Sequence, residues 1–168
     1  VDAGGSYNQG NAFEMGNYFD VFADQDMYTI NVKIHSAAEV GAVVYGVVYS
    51  VDAATGDFIF EQNTDDYVLT SGDLGAEIQL NLFSPFTLLS GNGYLVVIGG
   101  YGDGGATNDL VVQTAGISDP QTSFFYDGTD LTWYYSTSTP WVRINAENTQ
   151  SIEESNVNFE LNQNIPNP

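Results

Sequence analysis

The sequence predicts an all-β fold, an antiparallel two-sheet β-sandwich of jelly-roll type, and three observations predict it. Apolar residues recur with period two along most of the chain, in the β-branched and aromatic types that suit a pleated, half-buried surface. No segment keeps a helical period over about 11 residues. Clusters of Gly, Asn, Asp and Ser interrupt the apolar runs at roughly the 8–12-residue spacing of sandwich and barrel strands.

The elements follow in order. A strand is expected over residues 18–23. Over residues 27–35, Ile30, Val32 and Ile34 share one face and Thr29, Asn31, Lys33 and His35 the other, so one face is core and the other wet. Residues 77–83 repeat this with Ile78, Leu80 and Leu82 against Glu77, Gln79 and Asn81. Both read as outer or edge-ward strands. Residues 42–49 (AVVYGVVY) and 94–98 (YLVVI) do not alternate and are bounded by Gly or Ser, which marks central strands covered on both faces. Shorter strands are expected at 58–61, 110–113, 123–126, 131–135 and 141–145. The cuts at 54–57, 71–73, 90–93, 102–105 and 127–130 carry residues that tolerate positive φ or bond their own backbone. The sandwich domain is placed at residues 1–145, an acidic linker at 146–157 and a separate segment at 158–168.

The 168 residues include 22 Asp plus Glu against 2 Lys plus Arg, a formal charge of −20. Nucleic acid is excluded as a partner, because phosphates are gripped by clusters of Lys and Arg and only Lys33 and Arg143 are basic. Anionic membrane surfaces are excluded likewise, and no apolar run approaches the ~20 residues of a spanning helix, so no membrane insertion is expected. With 43% hydrophobic and 14% aromatic residues the chain can bury a core. The lack of Cys removes disulfides, thiol nucleophiles and thiolate metal sites together.

Catalytic groups are sparse. His35 is the single imidazole and reads as a surface histidine on a wet strand face, with no nucleophile and acid to complete a triad. Carboxylate pairs are numerous, but none is distinguished for glycosidic chemistry. A hard metal suits the composition better: calcium takes six to eight oxygens from carboxylates, amides and carbonyls. Three loops offer them: Asp20, Asp24 and Asp26; Asp103, Asn108 and Asp109; and Asp127 with Asp130. The other role of these residues is turn formation. Aromatics concentrate at Trp133, Tyr134, Tyr135 and Trp141, with Trp133 and Tyr135 on one face of an extended strand and Tyr134 on the other. Trp133, Tyr134 and Trp141 are the candidate sugar-stacking residues, the alternative being core filling. Arg143 is expected to pair with an Asp or Glu.

The end of the chain carries Phe159, Leu161, Gln163, Asn164, Pro166, Asn167 and Pro168 in the string F-x-L-x-Q-N-x-P-N-P, with Ile152-Glu153-Glu154 upstream. Residues 152–168 resemble the opening of the type A C-terminal sorting domain of cargo of the Bacteroidetes type IX secretion system; Ile165 stands where an aromatic residue is usual. The resemblance implies the type IX export machinery as a partner and a secreted or outer cell surface location, and bears on nothing before residue 146. The main domain resembles secreted jelly-roll β-sandwich modules. Val157, Phe159 and Leu161 alternate with polar residues, a pattern that wants a sheet edge, on this chain or on another copy in a homo-oligomer or filament.

The leading expectation is a non-catalytic secreted or cell-surface β-sandwich protein with a structural or adhesive role, self-assembling into an extracellular filament or layer. The alternatives are a carbohydrate-binding module with a glycan partner and a carboxylate-dependent glycoside hydrolase.

Overall fold

The computed structural model describes residues 5–6, 13–101 and 109–146, and every regular element among them is a β-strand. In chain order these are β1 (Gly5–Ser6), β2 (Phe13–Asp20), β3 (Gln25–Lys33), β4 (Val43–Val51), β5 (Phe58–Asn63), β6 (Tyr67–Val68), β7 (Glu77–Leu88), β8 (Gly93–Gly100), β9 (Val111–Val112), β10 (Thr114–Ile117), β11 (Ser123–Asp127), β12 (Thr132–Tyr135), β13 (Ser138–Pro140) and β14 (Val142–Asn145). A seven-stranded sheet runs β12-β11-β2-β8-β4-β5 with β6 also on β4, and a three-stranded sheet runs β14-β3-β7. The small pairs β1-β9 and β10-β13 complete the set, and every pairing is antiparallel. The chain changes sheet from β2 to β3, β3 to β4, β6 to β7 and β7 to β8, so that β8 returns between β2 and β4 while β7 lies beside β3. That is the jelly-roll manner of building a sandwich.

The core lies between the two inner faces. β3 contributes Ile30 and Val32, and Ile34 follows at its end; β7 contributes Ile78, Leu80 and Leu82; β2, β4 and β8 contribute Phe13 and Met15, Val44 and Val48, and Val96 and Ile98. Each such side chain contributes about 1.5–3 kcal/mol of burial free energy. Both alternating strands thus turn the expected face inward, and both non-alternating runs lie inside the larger sheet.

Several expectations need correction. β3 is the middle strand of its sheet, because β14 pairs along its other edge; only β7 is at an edge. Thr29, expected in water, is buried and donates its hydroxyl to Asn31 Oδ1 at 3.0 Å. β7 continues past Pro85 to Leu88 because an edge strand tolerates a proline, and the ladder slips opposite it between Met27 and Thr29. The first long strand is residues 13–20 rather than 18–23, its Gly16-Asn17 dipeptide having the look of a turn. Asn17 is instead a buried tie: its Nδ2 donates to the Pro140 and Val142 carbonyls, both at 2.9 Å, and its Oδ1 accepts from Ser123 Oγ at 2.9 Å. These bonds pin the corner between β13 and β14 onto β2 of the large sheet.

Candidate functional site

With Phe13 and Met15 in the core, alternation turns Glu14, Gly16, Tyr18 and Asp20 to the outside of the large sheet. The register sets Glu14 beside Gly99 and Tyr126, Gly16 beside Val97 and Phe124, Tyr18 beside Leu95 and Asp20 beside Gly93. An outer sandwich face would ordinarily be polar. Here Leu95 and Val97 are buried with Val47 under Tyr45, Tyr49, Phe58, Phe124 and Trp133, a second small core roofed by rings.

Those rings reveal the shape of the sheet. Trp133 on β12 meets Phe58 on β5, centroid to centroid, at 5.1 Å and Tyr49 on β4 at 5.6 Å, both edge to face. β12 and β5 end the strand order, about 20 Å or more apart in a flat sheet. The sheet therefore curls, concave on its outer side, and brings its two margins together. Between them lies an open cleft of about 590 Å³ walled by Tyr18, Phe58, Phe124, Trp133 and Tyr135, with Val51 and Gly56 on one lip and Asp20 and Gln121 as its polar groups. Tyr135 is the most exposed of these rings, 59% accessible, and leans on Phe124 at 5.1 Å. Gln121 holds a φ of 66°, a left-handed conformation uncommon outside glycine, in the turn that brings it to the cleft.

Beneath the roof sits a carboxylate. Glu14 accepts from the Tyr49 hydroxyl at 2.7 Å and the Tyr45 hydroxyl at 3.4 Å. Burial raises its pKa, and the two tyrosine hydrogen bonds only partly oppose that rise. The same arrangement pushes both tyrosines up, by burial first and then by the Glu14 charge. Two glycines make room: a Cβ on Gly99 would run into the Tyr45 ring, and one on Gly93 into the Tyr18 ring and hydroxyl.

The sites expected from sequence fall in different places. Trp133 lines the cleft and shares its face with Tyr135. Tyr134 points the other way, stacked on Phe125 at 5.3 Å with its hydroxyl on Asp130. Trp141 lies between β13 and β14, its ring covered by the Arg143 guanidinium at 3.7 Å. The three rings thus form no common platform. Arg143 takes this aromatic face in place of the expected carboxylate.

Of the calcium candidates, Asp20 is in the cleft; Asp24 Oδ1 accepts the Ser90 amide at 2.7 Å and Asp26 Oδ1 the Thr87 hydroxyl at 2.7 Å. Asp109 bonds Glu39 through its backbone, Asp127 Oδ1 accepts the Thr129 amide at 2.7 Å, which lowers its pKa, and Asp130 takes Tyr134. Among the described residues no three acidic or imidazole groups converge as metal ligands. Asp103 and Asn108 lie outside the described residues, as do the sorting-motif residues Phe159, Leu161, Gln163, Asn164, Pro166, Asn167 and Pro168. His35 caps a turn, its Nδ1 accepting the Ala37 amide at 3.0 Å.

Sequence reading missed Glu14, Tyr18, Phe58, Gln121 and Phe124. The available signal was the alternation of 13–20, which turns Glu14 and Tyr18 to one outer face.

No protein-family model and no curated protein matches the chain. A solved structure is similar: that of the cysteine protease and lectin-like domains of Cwp84, a surface layer associated protein of Clostridium difficile, with a TM-score of 0.57 and 11% identity. The likeness covers 80% of this chain and 32% of that one, so the chain spans about a third of its neighbour's length. It is a likeness of fold, and the fold is an antiparallel β-sandwich.

Proposed function

We propose that the aromatic cleft is a carbohydrate-binding site on an exported, non-catalytic β-sandwich module. The observation that carries the reading is Tyr135, a well-exposed ring that lines, with Trp133, Phe124, Asp20 and Gln121, a cleft of about 590 Å³. A sugar ring has an apolar C–H face and a polar hydroxyl edge. Rings answer the first, and a carboxylate and an amide answer the second. The volume suits a small-molecule site.

The non-catalytic reading is supported by the lining. Glycosidic hydrolysis canonically uses two carboxyls flanking the bond, and among the described residues Asp20 is the carboxylate lining the cleft. No thiol chemistry of the kind in the neighbour's name is open to a chain without cysteine. That neighbour is named as lectin-like and surface-layer associated, which fits a glycan-binding surface module. The tail's resemblance to a sorting domain supports export through the type IX machinery to a secreted or outer-surface location.

Glycan-array screening of the full chain, followed by calorimetry on the hits, tests this reading. Specific glycan binding lost at least tenfold in Tyr135→Ala and Trp133→Ala, with the fold retained, is the expected result. An array without hits, or hits indifferent to both substitutions, overturns it.

A structural, self-associating role is favoured by a separate observation: the edge strand β5 exposes Ile59 and Phe60, the kind of edge that recruits another chain. Light scattering before and after Phe60→Lys measures it. A mass that never exceeds the monomer removes this reading.

A further inference from the structure

The carbohydrate reading leaves open which sugars the cleft accepts, and the following inference rests on that reading. The chain has two permanent cations, Lys33 on β3 and Arg143 on β14. Both belong to the three-stranded sheet, and neither lines the cleft in the larger one. With no other Lys or Arg anywhere in the sequence, no further part of the chain can bring such a charge to a ligand. A uronate or sulfate entering the cleft would lose water and meet rings, an amide and a like charge in a molecule of net charge −20.

Among the described residues of the cleft, Asp20 is the charged group that a ligand would meet. It lines the cleft and also a neighbouring pocket of about 380 Å³ formed with Phe22, Ser90 and Asn92, so a sugar chain reaching from one pocket to the other passes its carboxylate. Its ladder partner is Gly93, which has no side chain to cover it. The Tyr18 hydroxyl donates to Oδ1 at 2.9 Å and orients the group, leaving Oδ2 for a ligand. Phe22, 90% exposed, offers a second ring beyond it.

We infer that Asp20 makes this cleft selective for sugar chains bearing a free amine, such as linked glucosamine units, and against acidic glycans. An ammonium on the sugar donates to Oδ2 as a charge-assisted hydrogen bond, stronger than a hydroxyl can make and directional enough to require this carboxylate.

The test is calorimetry on the full chain with three β-linked hexamers matched in length, built from glucosamine, glucose and glucuronate, in mildly acidic buffer that keeps the amine charged. The glucosamine hexamer is expected to bind about tenfold tighter than the glucose hexamer, and the glucuronate hexamer not measurably. Asp20→Asn, nearly isosteric and still an acceptor for Tyr18, should abolish the preference, so that the variant binds the glucosamine and glucose hexamers equally. Glu77→Gln removes the same charge from the other sheet and should leave the preference intact. Equal losses in the two variants would mean a diffuse field and overturn the inference. So would glucose binding without an amine preference, or glucuronate binding as well as glucose, and in both cases the carbohydrate reading survives. Failure of all three hexamers overturns the inference, whereas the carbohydrate reading stands or falls on the glycan array.

Discussion

The two faces of the large sheet are built from one set of strands and have opposite characters. The inner face is mainly aliphatic, with Met15, Val44, Val48, Val96 and Ile98 sealed against β3 and β7 and the rings of Phe13 and Tyr94 buried among them. The outer face is aromatic and incompletely sealed: Leu95 and Val97 are buried, but the rings over them leave a cleft and a half-exposed tyrosine. Aliphatic packing saturates because branched side chains interdigitate without directional demands. Rings meeting edge to face leave angular gaps, and a gap walled by rings and rimmed by polar groups is a place for a ligand. The difference separates the part of the molecule that holds it together from the part available to bind.

Substitutions at matched positions sharpen this comparison. The largest expected effect on stability is at the inner face. Ile98→Ala, at a fully buried site, should cost about 2–5 kcal/mol in urea denaturation. Glycan affinity measured well below the melting transition should be unchanged. Next is Gly99→Ala on the outer face, whose new Cβ would displace the Tyr45 ring. About 1–3 kcal/mol should be lost, with a change in the near-ultraviolet circular dichroism that Ile98→Ala does not produce.

A smaller effect of opposite sign is expected at Glu14. Its folded pKa lies above the ordinary value of 4.5, so the native state holds a proton more tightly than the unfolded chain. Stability therefore falls as pH rises from 4.5 to the folded pKa, and the deficit is constant above it. Glu14→Gln, which mimics the protonated acid and still accepts from Tyr49, should melt higher than the parent at neutral pH, with the gap closing as pH approaches 4.5. A parent more stable than the variant across that range would show the charge to be well solvated. Smallest in stability is Tyr135→Ala, about 0.5 kcal/mol or less at so exposed a position, although glycan binding should drop at least tenfold.

The inner face was legible in the sequence because water on the outside of β3 and β7 imposes alternation: Ile30-Asn31-Val32-Lys33 and Ile78-Gln79-Leu80-Asn81 need no knowledge of their partners. The run 94–98 was legible as a central strand for the complementary reason, being apolar on both sides. The cleft was half legible. Period two places Trp133 and Tyr135 together, but nothing local says that the sheet curls until Phe58, some 75 residues earlier, meets Trp133. Glu14 was hidden because the first strand was expected over 18–23, which leaves Glu14 outside it, and because its partners Tyr45 and Tyr49 lie on a distant strand. Trp141 and Arg143 were each assigned separate partners when each is the other's.

The central claim is that the concave aromatic face binds while the inner face and the smaller sheet do not. Amide chemical-shift mapping by NMR during titration with the glucosamine hexamer tests it most directly. The account predicts that the largest shifts fall at residues 18–22, 56–58, 121–124 and 133–135, with β3, β7 and β14 unmoved. Shifts centred on the three-stranded sheet around Trp141 and Arg143, or none at saturating ligand, would contradict it.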